Sequence, residues 1–480
     1  MEEFKNYING KWIDSTSKQF VDVLSPSDNK VFAKIQNSNR EDGDNAVNSA
    51  RVAFESGEWS KLTAVDRGRL LCKLSDEILK NKDELADIEA KDTGKPLKQA
   101  KADIIASARY FEFYGGAADK VHGQTIPFMN DYFVSILREP HGVTAHIIPW
   151  NYPAQMFGRS LAPALAMGNA VVMKPAEEAC LTPLKITQLA HDVGFPPGAI
   201  NVITGIGEQA GAALSNSNDI NFISFTGSPE VGTLVQIAAA KNHIGCVLEL
   251  GGKSPQIVFE DANIEAALPF LVNAIVQNGG QTCSAGSRLL IQRAVYDKFV
   301  PMIAEKFSNL TVGSHSMDRD CGALISLRQK NRVLSFIDRA LDSGIKKLAS
   351  GKFTSDLPEE GFYVLPTLFG PVPRDHELAK DEVFGPVLSI IPFESEEEAI
   401  EIANETDYGL VAGVWTNDGS RQLRVAKAMN CGQVFINGYG AGGGIELPFG
   451  GVKKSGHGRE KGFEALYEFC STKTLVFNHK

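Results

Sequence analysis

Three side chains of this 480-residue chain are of types and in settings that could do covalent or acid–base chemistry. Cys283 lies in the small-residue turn Gln281-Thr282-Cys283-Ser284-Ala285-Gly286, which leaves a thiol accessible. A thiolate nucleophile needs that exposure, together with backbone amides or a cation to favour the anion. A packing cysteine fits the same composition. Glu249, in Leu248-Glu249-Leu250-Gly251-Gly252-Lys253, closes an apolar stretch before a double-glycine turn. Partial burial there raises a carboxylate toward the range of a general base, and the end of a strand or helix is the plain alternative. Asn151, in Pro149-Trp150-Asn151-Tyr152-Pro153, is an amide between two prolines. So held, it can donate to an oxyanion or serve an Asx-type turn.

A second set of residues suits a nucleotide. Phe225-Thr226-Gly227-Ser228-Pro229-Glu230-Val231-Gly232 follows a strand-like run and opens a helix, with Ser228 at the N-cap and Pro229 at the first helical position. Such a terminus offers unpaired N–H groups to a phosphate, although most capped turns bind nothing and the GxGxxG fingerprint is absent. Lys174-Pro175-Ala176-Glu177 follows the strand-like Ala170-Val171-Val172-Met173. If Glu177 faces an adenine ribose it accepts from both hydroxyls and repels a 2′-phosphate, favouring NAD over NADP; a surface ion pair is the bland reading.

The elements that must position these residues alternate. Helical periodicity runs from Asp44 to Glu55 and from Ala64 to Ala90, and short β-rich runs such as Val143 to Ile148 end in proline or polar turns. From Ala199 to Ala240, strand, glycine turn and helix occur twice, which predicts a mostly parallel doubly wound sheet. A second strand-helix series follows Gly251-Gly252, through Gln256 to Phe259 and Leu289 to Ile291, as far as Val414-Trp415. Between about Val121 and Arg138 an alternating segment broken by Pro127 and Asn130-Asp131 predicts a hairpin, and the run Gly438 to Gly444 reads as a mobile loop. The length predicts two substantial domains. A formal net charge of −10, without a basic run longer than Lys453-Lys454, argues against a nucleic-acid partner. No basic-then-apolar leader opens the chain, and the apolar stretch Leu161 to Met173 is too short to span a membrane. Seven scattered cysteines without CxxC spacing suggest neither zinc nor a disulfide framework, and fit a cytoplasmic protein.

In order and wording the motifs resemble the aldehyde dehydrogenase superfamily over essentially the whole chain. They are Pro149 to Pro153, Lys174 to Glu177, Phe225 to Ser228, Glu249-Leu250-Gly251-Gly252-Lys253-Ser254-Pro255, Gly280 to Cys283, Glu382-Val383-Phe384-Gly385-Pro386-Val387, and Pro448 to Gly451 with Ser455 to Glu460. The resemblance implies Cys283 as nucleophile, Glu249 as general base, and Asn151 with the Cys283 amide as oxyanion hole. It implies NAD as cofactor, with Lys174 and Glu177 on the adenine ribose, Ser228 at the pyrophosphate, Glu382 on the nicotinamide ribose and Phe384 beside the nicotinamide. Ile148, Trp150, Gly207, Gly227 and Leu250 complete that crevice, and Glu460 is a candidate proton relay.

The implied α/β fold has a Rossmann-like NAD-binding domain (1–117 and 141–252) and a catalytic domain (253–453). A small β oligomerisation element with the C-terminal segment (118–140 and 454–480) predicts a homodimer or homotetramer. The implied activity oxidises an aldehyde to a carboxylic acid through a thioester. Coenzyme A-acylating relatives differ at the Glu249 position; they, a cysteine esterase and a non-catalytic scaffold are the rival readings. Arg159, Tyr152 and Gln277 are candidate substrate residues. Arg159 stands where relatives acting on simple or cationic aldehydes often carry an aromatic residue. It would suit carboxylate-bearing semialdehydes or aromatic aldehydes with acidic or hydroxyl groups, unless it pairs with a local carboxylate. Succinic semialdehyde enzymes tend to place an arginine where Gln277 stands.

Overall fold

The structure, a computed structural model, describes residues 2–440 and 444–480. Its largest sheet runs, strand by strand, 456–457, 245–249, 222–226, 143–148, 170–175, 200–202, 6–8 and 11–13. The five strands from Gly245–Glu249 across to Ile200–Val202 are parallel; the flanking strands 456–457 and 6–8 are antiparallel to them, and 11–13 is antiparallel to 6–8. Ala170–Pro175 is buried at all six positions, which is why it reads as unbroken apolar sequence: helices cover both faces of a parallel sheet. The chain lays down 143–148, 170–175 and 200–202 in one direction, then returns to place 222–226 and 245–249 on the other side of 143–148. The strand order therefore reverses between Val143–Ile148 and Phe222–Thr226. At such a point the connections diverge and leave a crevice at the carboxyl ends of the strands.

A second sheet runs 347–350, 367–369, 387–393, 288–292, 255–258, 411–415 and 433–436, parallel except at Lys347–Ser350. Its period-two alternation divides its core in two. Ile257 and Leu290 enter one apolar cluster, whereas Val258, Leu289 and Ile291 enter another on the opposite face. The third sheet is an antiparallel arm in which Cys470–Asn478 pairs along its whole length with Tyr132–Pro140, which in turn pairs with Gln124–Thr125.

The helical run expected from Ala64 to Ala90 is two helices, Ala64–Lys80 and Lys82–Thr93. Asn81 breaks it, its side-chain amide donating to the Glu77 carbonyl at 2.8 Å and closing the first helix. Such local side-chain bonding leaves no mark on apolar periodicity. The hairpin expected between Val121 and Arg138 is present as Gln124–Thr125 and Tyr132–Pro140. Of the glycine-rich run Gly438 to Gly444, residues 441–443 lie outside the described residues. Among the described residues no helix is long and apolar enough to cross a membrane.

Candidate active site

The link from Glu249, the last residue of its strand, to Pro255, the first of the next strand, joins the carboxyl edge of the first sheet to the amino edge of the second. Two contacts with Ser455 fix it: the Leu250 amide donates to the Ser455 carbonyl at 3.0 Å, and Ser455 Oγ donates to the Gly251 carbonyl at 2.7 Å. Its glycines are required by close approach. A Cβ at Gly252 would lie 2.3 Å from the Cys283 carbonyl oxygen, and one at Gly251 would lie 2.3 Å from Glu382 Oε2. Glu382 accepts from the Gly252 amide at 2.8 Å.

Cys283 sits in a turn closed by the Ala285 amide donating to the Thr282 carbonyl at 2.9 Å, between the helix Ile264–Val276 and the strand Arg288–Gln292. It is half-buried at the wall of a cavity of about 650 Å³, open mouth included, that Tyr152, Met156, Arg159, Gln277, Phe449 and Lys461 also line. Burial pushes its thiol up to about 12; Glu249 and Glu382 add to the rise, and Arg159 and Lys461 oppose it.

Glu249 is buried, and burial, followed by the neighbouring Glu460, holds its carboxyl well above the usual range against the pull of Arg159. Among the described residues neither of its oxygens has a hydrogen-bond partner; Arg159 Nη2 stands 3.5 Å from Oε2. A buried carboxyl without fixed partners is suited to taking a proton from water.

The Asn151 amide donates to the Gln281 carbonyl at 2.9 Å, and the second N–H of the same amide remains for another acceptor. The Asn151 carbonyl accepts from Lys95 Nζ at 2.9 Å and from Asn278 Nδ2 at 2.8 Å. Lys95 is itself fully buried between Asp103 at 2.6 Å and Glu89 at 3.3 Å, with its ammonium 4.6 Å from the centre of the Tyr152 ring. Tyr152 and Thr282 share a hydroxyl–hydroxyl contact of 2.7 Å. Asn151, Tyr152 and the cysteine turn thus rest on one buried ionic cluster.

Arg159 lines the cavity, and its guanidinium is taken up locally: it forms a close ion pair with Glu460, approaches Glu249, and lies 4.4 Å from the centre of the Phe449 ring. Local carboxylate pairing is therefore present at this residue. Gln277 and Tyr152 also face the cavity.

The remaining candidates gather at the strand-order reversal. Ile148 and Trp150 follow one central strand, while Gly227 and Ser228 follow the other, Ser228 capping the helix Pro229–Lys241 by accepting from the Val231 amide at 3.4 Å. Lys174 is buried and pairs with Glu177 at 2.5 Å, and Glu177 also accepts from the Gly207 amide at 3.3 Å. Although burial raises Glu177, Lys174 outweighs it and keeps the carboxylate below its ordinary value. Leu250 is buried beneath Gly232. Phe384, with a left-handed φ of 56°, packs edge-on to Trp150 at 5.3 Å. Burial pushes Glu382 up to about 7.

Two groups escape sequence reasoning. Lys95, between two helical runs, reads as solvated, because nothing local announces Glu89, Asp103 and the Asn151 carbonyl as its partners. Lys461 had a signal, since it directly follows Glu460 in a quoted motif.

The family model described as the aldehyde dehydrogenase family matches residues 12–475. Human (Homo sapiens) retinal dehydrogenase 2 is 42% identical over 476 residues, covering 98% of this chain and 91% of the relative. The crystal structure of a Burkholderia cenocepacia protein described as an aldehyde dehydrogenase has a TM-score of 0.98 and 56% identity, covering 99% of this chain and 100% of that one. The NAD+ complex of an aldehyde dehydrogenase from Bacillus cereus has a TM-score of 0.97 and 39% identity, covering 100% and 97%.

Proposed function

The chain belongs to the aldehyde dehydrogenase family, and on that premise we propose that it oxidises an aldehyde to the free acid through a thioester on Cys283. The observation that carries this reading is a cavity-facing thiol whose turn accepts a hydrogen bond from the Asn151 amide and whose cavity neighbour Arg159 approaches the buried carboxyl of Glu249. Its cofactor is NAD, and the residues at the strand-order reversal fit it. Glu382 lies against two glycines that leave no room for a Cβ, Glu177 and Lys174 form a hydroxyl-binding pair at a strand end, and Ser228 opens a helix. Bound there, NAD supplies the hydride acceptor that turns the thiohemiacetal into a thioester.

The chain's own residues do the rest. The Cys283 thiolate adds to the carbonyl carbon, and the developing oxyanion accepts from Asn151 and the Cys283 amide. After oxidation, Glu249 takes a proton from water, which attacks the thioester and frees the acid and the thiol. Retention of a carboxyl at this position favours water over coenzyme A as acyl acceptor. Arg159, close-paired with Glu460, stands 3.5 Å from Glu249 and favours its charged form. The cavity, with Tyr152, Met156 and Phe449 beside cationic groups, suits carboxylate-bearing or aromatic aldehydes with acidic or hydroxyl substituents. The antiparallel arm joins subunits into a homo-oligomer, and the two large sheets form the NAD-binding and catalytic domains.

Initial rates of NAD reduction across straight-chain, acidic, aromatic and trimethylammonium aldehydes test the reading. A rate lost in Cys283→Ala is expected; reduction that survives this substitution, or is absent with every aldehyde, contradicts it.

A further inference from the structure

We propose that Lys461 selects aldehydes carrying a negative charge, meeting a carboxylate or phenolate at the wall of the cavity that holds Cys283; this rests on the dehydrogenase reading of that site. Lys461 lines the cavity yet is only 2% exposed, so an anion reaching it meets an ammonium already stripped of water. Its ammonium lies 5.2 Å from the centre of the Phe449 ring, whose face Arg159 also covers. Lys461 makes further interactions within the fold, so what it offers a substrate is charge.

Among the described residues two cations line the cavity, Arg159 and Lys461, and Arg159 is committed to a carboxylate. Arg159, Cys283, Glu460 and Glu249 act electrostatically on Lys461. Arg159 is balanced by its close pair with Glu460, and burial holds both Cys283 and Glu249 toward their neutral forms. Burial, with Arg159 adding to it, pushes the Lys461 ammonium down to about 7, so an anion that binds beside it also restores its proton. Met156, Tyr152 and Phe449 supply a surface for the body between aldehyde and anion.

The test compares kcat/KM with NAD for 4-carboxybenzaldehyde against 4-methylbenzaldehyde, and for succinic semialdehyde against butyraldehyde, in the unmodified enzyme, Lys461→Met and Lys461→Arg. The unmodified enzyme is expected to prefer the acid in at least one pair. Lys461→Met is expected to reduce that preference at least tenfold, chiefly through KM, and Lys461→Arg to retain it. Preference of the unmodified enzyme for the neutral member of both pairs overturns the proposal without any variant having to fold. An unchanged ratio in an active Lys461→Met protein overturns it too. Absence of NAD reduction with all four aldehydes instead removes the dehydrogenase reading and the proposal with it.

Discussion

Burial pushes the resting thiol of Cys283 up to about 12 and holds it in the neutral form at pH 7, so the chemistry depends on what shifts that balance. Arg159 is the largest favourable influence on the thiolate and Glu249 the largest unfavourable charge. Alkylation of Cys283 by iodoacetamide in the cofactor-free protein is therefore expected to accelerate about tenfold per pH unit from 7 to 10, without a plateau. Arg159→Met, which removes the cation, should slow it at every pH; a plateau near pH 8, or a faster variant, would contradict the electrostatic account. At the other end of the crevice, Glu177 carries the cofactor choice. Glu177→Gln removes a charged acceptor worth about 1.5–3 kcal/mol, and should raise the NADP-to-NAD ratio of kcat/KM by about tenfold or more. Glu249 and Ser228 were legible because one closes a strand and the other caps a helix, and Cys283 because it stands in a small-residue turn. Their partners were not, since Arg159 meets Glu460 across some 300 residues of chain, and only folding brings such groups together.

At the scale of elements, the catalytic loop is only as rigid as what holds it. Lys95, in the turn between the helices Lys82–Thr93 and Leu97–Ala117, fixes the Asn151 carbonyl while neutralising Glu89 and Asp103, whose carboxyls burial drives upward. Lys95→Met leaves two buried carboxyls without their cation, and is expected to cost about 3–5 kcal/mol in urea denaturation and to lower kcat more than it raises KM. A loss below about 1 kcal/mol would show that the cluster is not structural. Elements were legible where periodicity is strong, as in Val143–Ile148 and the strand-turn-helix repeat to either side of Phe222–Thr226. The break at Asn81 was not, because side-chain bonding to one carbonyl decides it.

At the scale of the molecule, the arm formed by Cys470–Asn478 and Tyr132–Pro140 leaves the outer edge of its last strand unpaired among the described residues and exposes Phe133, Val476 and Phe477 by 51%, 56% and 54%. A free edge beside exposed aromatics calls for cover. Val476→Glu with Phe477→Glu replaces two side chains that are more than half exposed in the subunit, and should convert an oligomer to monomers by light scattering with the thermal transition of the subunit retained. An unchanged mass would place the interface elsewhere. That the arm forms was readable from the hairpin signal; that its partner strand comes from the far end of the chain was not readable from local pattern, because the pairing spans more than 300 residues.

The most direct test of the central claim is the reaction of Glu249→Gln with NAD and excess aldehyde, followed by stopped-flow absorbance of NADH and by mass analysis of the Cys283 peptide. With acylation intact and the base removed, one NADH per subunit should form and then stall, with the acyl group on Cys283. Steady turnover without an adduct, or no burst from a folded, NAD-binding variant, would contradict a thioester at Cys283 that Glu249 is needed to hydrolyse.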